Sequence, residues 1–328
     1  MAYPKRISIV LLLLFLPFLF ACSSGNSNTQ EKNAYTIGFL DAVEDATLSE
    51  ARKGFTDALK ANNISEEDGN LKIYFRNAQG DMATLVQSLQ YFVNTKVDLI
   101  AANSTLSTIT AVQRSEGIPV CMMVAPDPAL AGLNDAEGNY PKNLFGVYES
   151  LDYIDSSMKL IKEWMPEAKK IGLVYNQAET QSVNALERIE SLAKALSYRV
   201  IALPVTNSSE TQLVTESLLY QDIDVFFALP DNIIFSSFEV ILRSCEEAGV
   251  PIFTSESGLV KRGAVAAYGA DFYYWGYQAG EQAAAYLKGD RSALPGIEKV
   301  QLRKKTFNQE AALKFGFTDF EGFEPVNL

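Results

Sequence analysis

The chain has 328 residues, with 28 Lys and Arg against 40 Asp and Glu, no histidine, and a formal net charge of −12. That acidity argues against a phosphate backbone as the main binding partner. The lack of imidazole removes serine triads of the usual kind, imidazole general bases and histidine metal sites.

The first element is an apolar run. Lys5 and Arg6 precede it, Ile7 to Phe20 form it with only Ser8 and Pro17 interrupting, and Ala21 separates it from Cys22. The run is shorter than the roughly 20 apolar residues needed to cross a bilayer, so it reads as a secretory signal peptide and not as a span. Leu19-Phe20-Ala21-Cys22 resembles a bacterial lipobox, in which the cysteine thiol takes a diacylglycerol and becomes the first residue after cleavage. Residues 1–21 are therefore expected to be a lipoprotein signal peptide. Residues 22–34 are expected to be a lipid anchor and flexible tether, because Ser23 to Asn33 holds no apolar residue that could pack. Cleavage leaves 307 residues of net charge −14, since Lys5 and Arg6 depart with the signal. That length suits two cores better than one. The expected location is the cell envelope, outside the cytoplasmic membrane, with the choice between inner and outer membrane open.

From Tyr35 short apolar runs alternate with amphipathic ones. Strands are predicted over 35–40, 71–78, 97–104 and 118–125, with helices over 49–63, 82–95 and 108–117 between them. The order then restarts. "KKIGLVYN" (169–176), "RVIALPVTN" (199–207), "IDVFFALPDN" (223–232) and "VPIFTSES" (250–257) read as strands separated by three further helices. Ile37 and Ile171 are 134 residues apart, Asp98 and Asp224 126, and Pro119 and Pro251 132, so the same plan recurs with drifting loop lengths. Strand–helix alternation of this kind predicts parallel sheets flanked by helices. Next, 263–271 reads as an extended crossing segment, Phe272 to Leu287 as an alanine-rich helix ending near Gly289, and 300–308 as a last extended run before a short helix. Cys121, in a strand-like run, and Cys245, in a helix-like one, read as small buried hydrophobes.

The expected fold class is α/β: two Rossmann-like lobes joined by a three-crossover hinge. Lobe 1 is assigned to 35–145 plus 270–291 and lobe 2 to 146–269 plus 292–328. Ligands of open α/β sheets bind beyond the carboxyl ends of the strands, and those ends face a cleft here. Polar residues recur there after nearly every strand. They include Asn77, Asn103, Ser104, Thr105 and Asp127 in the first half, and Tyr175, Asn176, Asp231, Asn232, Glu256 and Ser257 in the second. Each has a competing reading as a helix cap or turn, and Gly80-Asp81 looks more like a turn and cap than a contact. Tyr148, Tyr175, Tyr268 and Phe272 are candidates to stack on a ligand, with hinge or core packing the stronger reading for Phe272.

Several segments in order, "ARKGF" (51–55), "NAQGD" (77–81), "VDLIAANST" (97–105), "PDP" (126–128), "IGLVYNQAETQS" (171–182), "PDN" (230–232) and "GAVAAYGADFYYWGYQAGEQAA" (263–284), resemble the ABC transporter substrate-binding lipoproteins of the type I periplasmic-binding-protein fold. The nearest likeness is to members that capture tryptophan and related aromatic amino acids. The chain departs from that pattern at Glu44-Asp45-Ala46, where Glu-His-Pro is usual, at Leu106 for a proline, and at Gln181 for an asparagine. The resemblance implies a non-enzymatic monomer without cofactor or metal. It would take a small amino acid-like ligand between the lobes, dock on an ABC permease driven by a cytoplasmic ATPase, hold to the membrane by its lipid, and bind no nucleic acid. Ligand-binding candidates carried over or read from the loops are Ser104, Thr105, Asp127, Tyr175, Asn176, Ser182, Asp231, Asn232, Glu256 and Asp271, with Cys22 as the lipidated residue. A sensory receptor on the same fold and a nucleoside-type solute receptor are the alternatives. A surface glycosidase fits less well, because its paired carboxylates need a defined separation and the acids here fall mostly on helix faces.

Overall fold

In the computed structural model, which describes residue 1 and residues 34–326, the alternation becomes two parallel-stranded sheets with helices packed on them. The first half gives β1 (Tyr35–Asp41), α1 (Ala46–Ala61), β2 (Leu71–Asn77), α2 (Met82–Thr95), β3 (Leu99–Asn103), α3 (Thr105–Arg114), β4 (Val120–Pro126) and β5 (Leu144–Glu149). The second gives α4 (Asp152–Trp164), β6 (Lys170–Asn176), α5 (Thr180–Leu196), β7 (Arg199–Val205), α6 (Thr211–Leu219), β8 (Val225–Ala228), α7 (Asn232–Ser236), α8 (Phe238–Ala248), β9 (Ile252–Thr254), α9 (Ser257–Lys261) and β10 (Ala266–Ala270). The chain then returns through α10 (Phe272–Lys288) and β11 (Ile297–Lys299), and ends with β12 (Arg303–Phe307), α11 (Gln309–Lys314) and β13 (Glu324–Pro325).

Strand order is β11-β5-β4-β3-β1-β2 in the first sheet and β13-β12-β10-β9-β8-β6-β7 in the second, and among the described residues only the β10–β12 pair is antiparallel. The chain therefore passes between sheets three times: after β5, after β10 and after β11. Because β5 and β11 pair within the first sheet, the crossings fall beyond Glu149 and beyond Lys299. They lie a few residues past the 145/146 and 291/292 limits drawn from the sequence. Neither β5 nor α4 is resolved in the sequence reading, which passes from residue 125 to residue 169.

Local chemistry explains where the elements begin. The Asp45 carboxylate accepts from the Thr47 and Leu48 N–H groups at 2.7 and 3.1 Å and starts α1. Asp81 accepts from Thr84 N–H at 2.7 Å and starts α2, so Gly80-Asp81 is the expected turn and cap. Phe39, Phe55, Phe92 and Phe145 are fully buried in the first lobe, as are Phe226, Phe227, Phe238 and Phe253 in the second. Each such ring contributes about 1.5–3 kcal/mol over an exposed one. The return of α10 to the first lobe depends on glycine. A Cβ at Gly54 would lie 1.9 Å from the Tyr273 carbonyl oxygen, and one at Gly276 would lie 1.8 Å from that of Ala51. Cys121 and Cys245 are buried free thiols, as the sequence reading expects, and burial pushes Cys245 up to about 12. No described helix is long and apolar enough to cross a membrane. Cys22 and the rest of 2–33 lie outside the described residues.

Candidate binding cleft

The strand ends of the two sheets enclose a cavity of about 40 Å³, lined from both lobes and from the crossing segments. Strand order fixes the layout of its polar groups. Next to the hinge stand Glu149 at the end of β5 and Glu256 after β9, the neighbour of the crossing strand β10. Asn232 follows β8, one strand further out. Ser104 and Thr105 after β3, and Gln181 at the start of α5 after β6, lie furthest from the hinge. The rings at the cavity are Tyr153, Phe235, Phe272 and Trp275. Three of these follow a crossing directly, so the apolar wall belongs to the hinge end. Phe272 stands edge-on to both Phe235 and Trp275, at 6.0 and 5.6 Å between centroids. Trp275 Nε1–H donates to the Val147 carbonyl at 2.8 Å, which pins the indole to β5.

On the first lobe, α3 starts at Thr105, three residues earlier than the sequence predicts, directly after Ser104 at φ 92°. Ser104 makes no side-chain cap bond, so the first N–H groups of this ten-residue helix are left to the cavity. Val124, also at the cavity, has φ 51° where the β4–β5 register slips. A β-branched residue in that region is strained, and strain of this kind concentrates at ligand sites.

On the second lobe a buried acid sits behind the wall. Glu179 accepts from Asn176 Nδ2 at 3.0 Å, from Asn232 Nδ2 at 2.9 Å and from Gln181 Nε2. Gln181 and Asn232 both line the cavity, and since their side-chain N–H groups donate to Glu179, their amide oxygens are the groups left to accept from a ligand. Burial, and then the neighbouring Asp231, push Glu179 up to about 8. Glu256 is only 4% exposed; its Oε1 accepts from Ser255 Oγ at 3.1 Å while Oε2 has no partner. Burial, with Glu149 and Asp45 adding to it, raises its carboxyl well above the usual range. Glu149 by contrast is gripped by Arg303, whose Nε–H donates to it at 2.9 Å across the hinge.

Of the ten candidates, Ser104, Thr105, Asn232 and Glu256 reach the cavity and six do not. Asp231 is fully buried beneath it, where Oδ1 caps α7 through Ile233 and Ile234 N–H and Oδ2 accepts from Ser182 Oγ at 2.6 Å and Asn176 N–H at 2.7 Å. Ser182 and Asn176 are thereby support for that cap. Asp271 caps α10 through Tyr274 N–H and lies 3.6 Å from Lys304. Asp127 closes its own turn on Ala129 N–H and meets the Tyr140 hydroxyl. Among the proposed rings Phe272 lines the cavity, whereas Tyr148, Tyr175 and Tyr268 do not. Glu149, Tyr153, Gln181, Phe235 and Trp275 are cavity residues absent from the sequence-based set. Glu149 and Tyr153 come from the unread β5–α4 stretch, and Gln181 is one of the departures noted above.

The lobes also touch outside the cavity. Arg262 in lobe 2 is held by both Glu239 oxygens at 2.8 Å and by the Phe235 carbonyl at 2.8 Å, and its Nη1 reaches Asp45 Oδ2 of lobe 1 at 2.6 Å. Gly258 faces Thr47 so closely that a Cβ would lie 2.2 Å from the threonine methyl.

Three comparisons bear on this arrangement. Residues 36–322 match the family model of the ABC transporter substrate binding protein. The Tyrosine-binding protein of Clostridioides difficile (strain R20291) is 37% identical over 267 residues, which are 81% of this chain and 76% of that protein. Among solved structures, a conserved domain protein from Vibrio cholerae superposes with TM-score 0.83 at 27% identity, covering 89% of this chain and 99% of the other. The ABC domain in complex with L-Trp from Streptococcus pneumoniae gives 0.78 at 24% identity, covering 87% and 96%.

Proposed function

The chain belongs to the ABC transporter substrate-binding protein family, and on that premise we propose that it captures an aromatic amino acid between its lobes for an ABC importer. The observation that carries this reading is the polarity of the cavity along its length. At the outer end the free N–H groups of α3, with the Ser104 and Thr105 hydroxyls, suit a carboxylate. Opposite them the Gln181 and Asn232 amide oxygens, backed by Glu179, suit an ammonium. At the hinge end Tyr153, Phe235, Phe272 and Trp275 suit a flat apolar body. A zwitterionic head and an aromatic side chain match that order, and taking them in requires the lobes to part, since the cavity as it stands is about 40 Å³. The tyrosine-binding relative and the L-Trp complex are consistent with it.

The folded part would stay near its permease through a lipid on Cys22 and the polar leash after it, a role that fits the lipobox-like Leu19-Phe20-Ala21-Cys22. Titration calorimetry on protein refolded after denaturation, to remove carried ligand, tests the binding reading. Tyrosine or tryptophan should bind in a one-to-one ratio, and binding should survive Cys22→Ser, which should release the protein from membranes. Absence of heat with every aromatic amino acid would end the reading.

A further inference from the structure

We propose that Glu256 reads the polar tip of the ligand's ring, so that the site selects aromatic amino acids carrying a ring hydrogen-bond donor, a phenol or an indole, over phenylalanine. This rests on the aromatic amino-acid reading above and specifies which member of that class the hinge end takes.

Glu256 has one carboxyl oxygen free for a ligand. It lines the cavity with the rings, it follows the strand beside the crossing strand β10, and its Oε2 is buried without a partner, whereas Glu149, the other cavity acid, is paired with Arg303. An unpaired buried oxygen is an unfavourable arrangement that a ligand group relieves. The head of the amino acid has acceptors and donors of its own at the outer end, at α3 and at Gln181 and Asn232. A side chain laid along Phe235, Phe272 and Trp275 carries its far end toward Glu256. The groups facing Glu256 are the Ser255 hydroxyl, Glu149 paired with Arg303, Asp45 paired with Arg262, and Tyr153. Burial, with Glu149 and Asp45 adding to it, raises the carboxyl well above the usual range. Charged or neutral, the carboxyl keeps lone pairs on Oε2 that can accept from a phenol O–H or an indole N–H. Phenylalanine fills the same space and leaves Oε2 unpaired. Sites built around such a bond reject the analogue that lacks the donor far more strongly than apolar pockets reject a missing methylene.

Calorimetry with tyrosine, tryptophan and phenylalanine on the wild-type protein, Glu256→Gln and Glu256→Leu tests the assignment. Wild type should prefer tyrosine or tryptophan to phenylalanine by about ten- to hundred-fold. Glu256→Gln keeps an acceptor and should retain most of that ratio. Glu256→Leu should collapse it, chiefly by weakening the donor-bearing ligand while phenylalanine binds as well as before or better. Equal losses for all three ligands would assign Glu256 to the ammonium and overturn the proposal, as would a wild type without preference. A wild type that binds none of the three ends the aromatic reading itself, and this inference falls with it. Melting temperatures of the ligand-free variants identify any loss that is mere unfolding, and Glu256→Gln then decides between the two roles.

Discussion

Arg262→Met tests whether the Arg262–Asp45 contact holds the lobes closed. The guanidinium is anchored in lobe 2 by Glu239 and the Phe235 carbonyl, and it reaches a lobe 1 carboxylate whose side chain is 1% exposed. Removing one member of a buried pair costs about 3–5 kcal/mol when the other charge stays buried. Here the side chain of Arg262 is 15% exposed, and opening of the lobes would return Asp45 to water. The loss should therefore fall on the closed state relative to the open one, and be nearer 2 kcal/mol. At 1.4 kcal/mol per tenfold, ligand affinity should drop by about thirty-fold. Asp45→Asn keeps an oxygen for Thr47 and Leu48 N–H and removes the charge, so it should weaken binding too, and the double variant should be no worse than the poorer single one. Calorimetry supplies the affinities, and small-angle scattering with and without ligand supplies the closure. Unchanged affinity would refute the argument. A fall in affinity matched by an equal loss of ligand-free stability would do so as well, because Arg262 would then be acting inside lobe 2 through Glu239.

The repeating order of elements was legible because each strand and helix carries its own local pattern. Asp45 and Asp81 cap helices through neighbours two or three residues away, so sequence reaches them. The crossings were less legible. β5 becomes a strand by pairing with β4 and with the distant β11, and nothing local in residues 144–149 announces that partner. The site was legible at the level of which loops face the cleft, and not at the level of which side chain points in. Asp231 and Asn232 are adjacent, yet one lies under the wall capping α7 and the other lines the cavity. Only the backbone turn separates them. Trp275 sits one turn inside a helix, away from the loops at the strand ends, and its place depends on a bond to Val147 from 128 residues away.

Two further outcomes follow from the cleft. Gly258→Ala places a methyl on Thr47 only when the lobes meet; calorimetry should find weaker ligand binding with the ligand-free melting temperature little changed, partly relieved by Thr47→Ala. Full affinity in Gly258→Ala would mean that the lobes bind ligand without approaching this closely. The second concerns pH. Glu179 titrates at about 8 in the folded protein, against an ordinary value of 4.5, because burial and Asp231 disfavour its charge. Between those values the folded chain holds a proton that the unfolded chain has released, so stability falls as pH rises. The stability conferred by the neutral form is therefore complete below about 4.5 and lost progressively up to about 8, at no more than about 1.4 kcal/mol for each pH unit. Glu179→Gln removes the titration while keeping an amide of the same shape. Urea unfolding of the ligand-free protein at pH 5, 6, 7 and 8 should show the wild type losing stability faster than this variant across the series. Parallel curves would mean that Glu179 is charged throughout. The Gln181 and Asn232 amides would then donate to a full carboxylate, and the second lobe would offer a ligand ammonium a negative wall at every pH in that range.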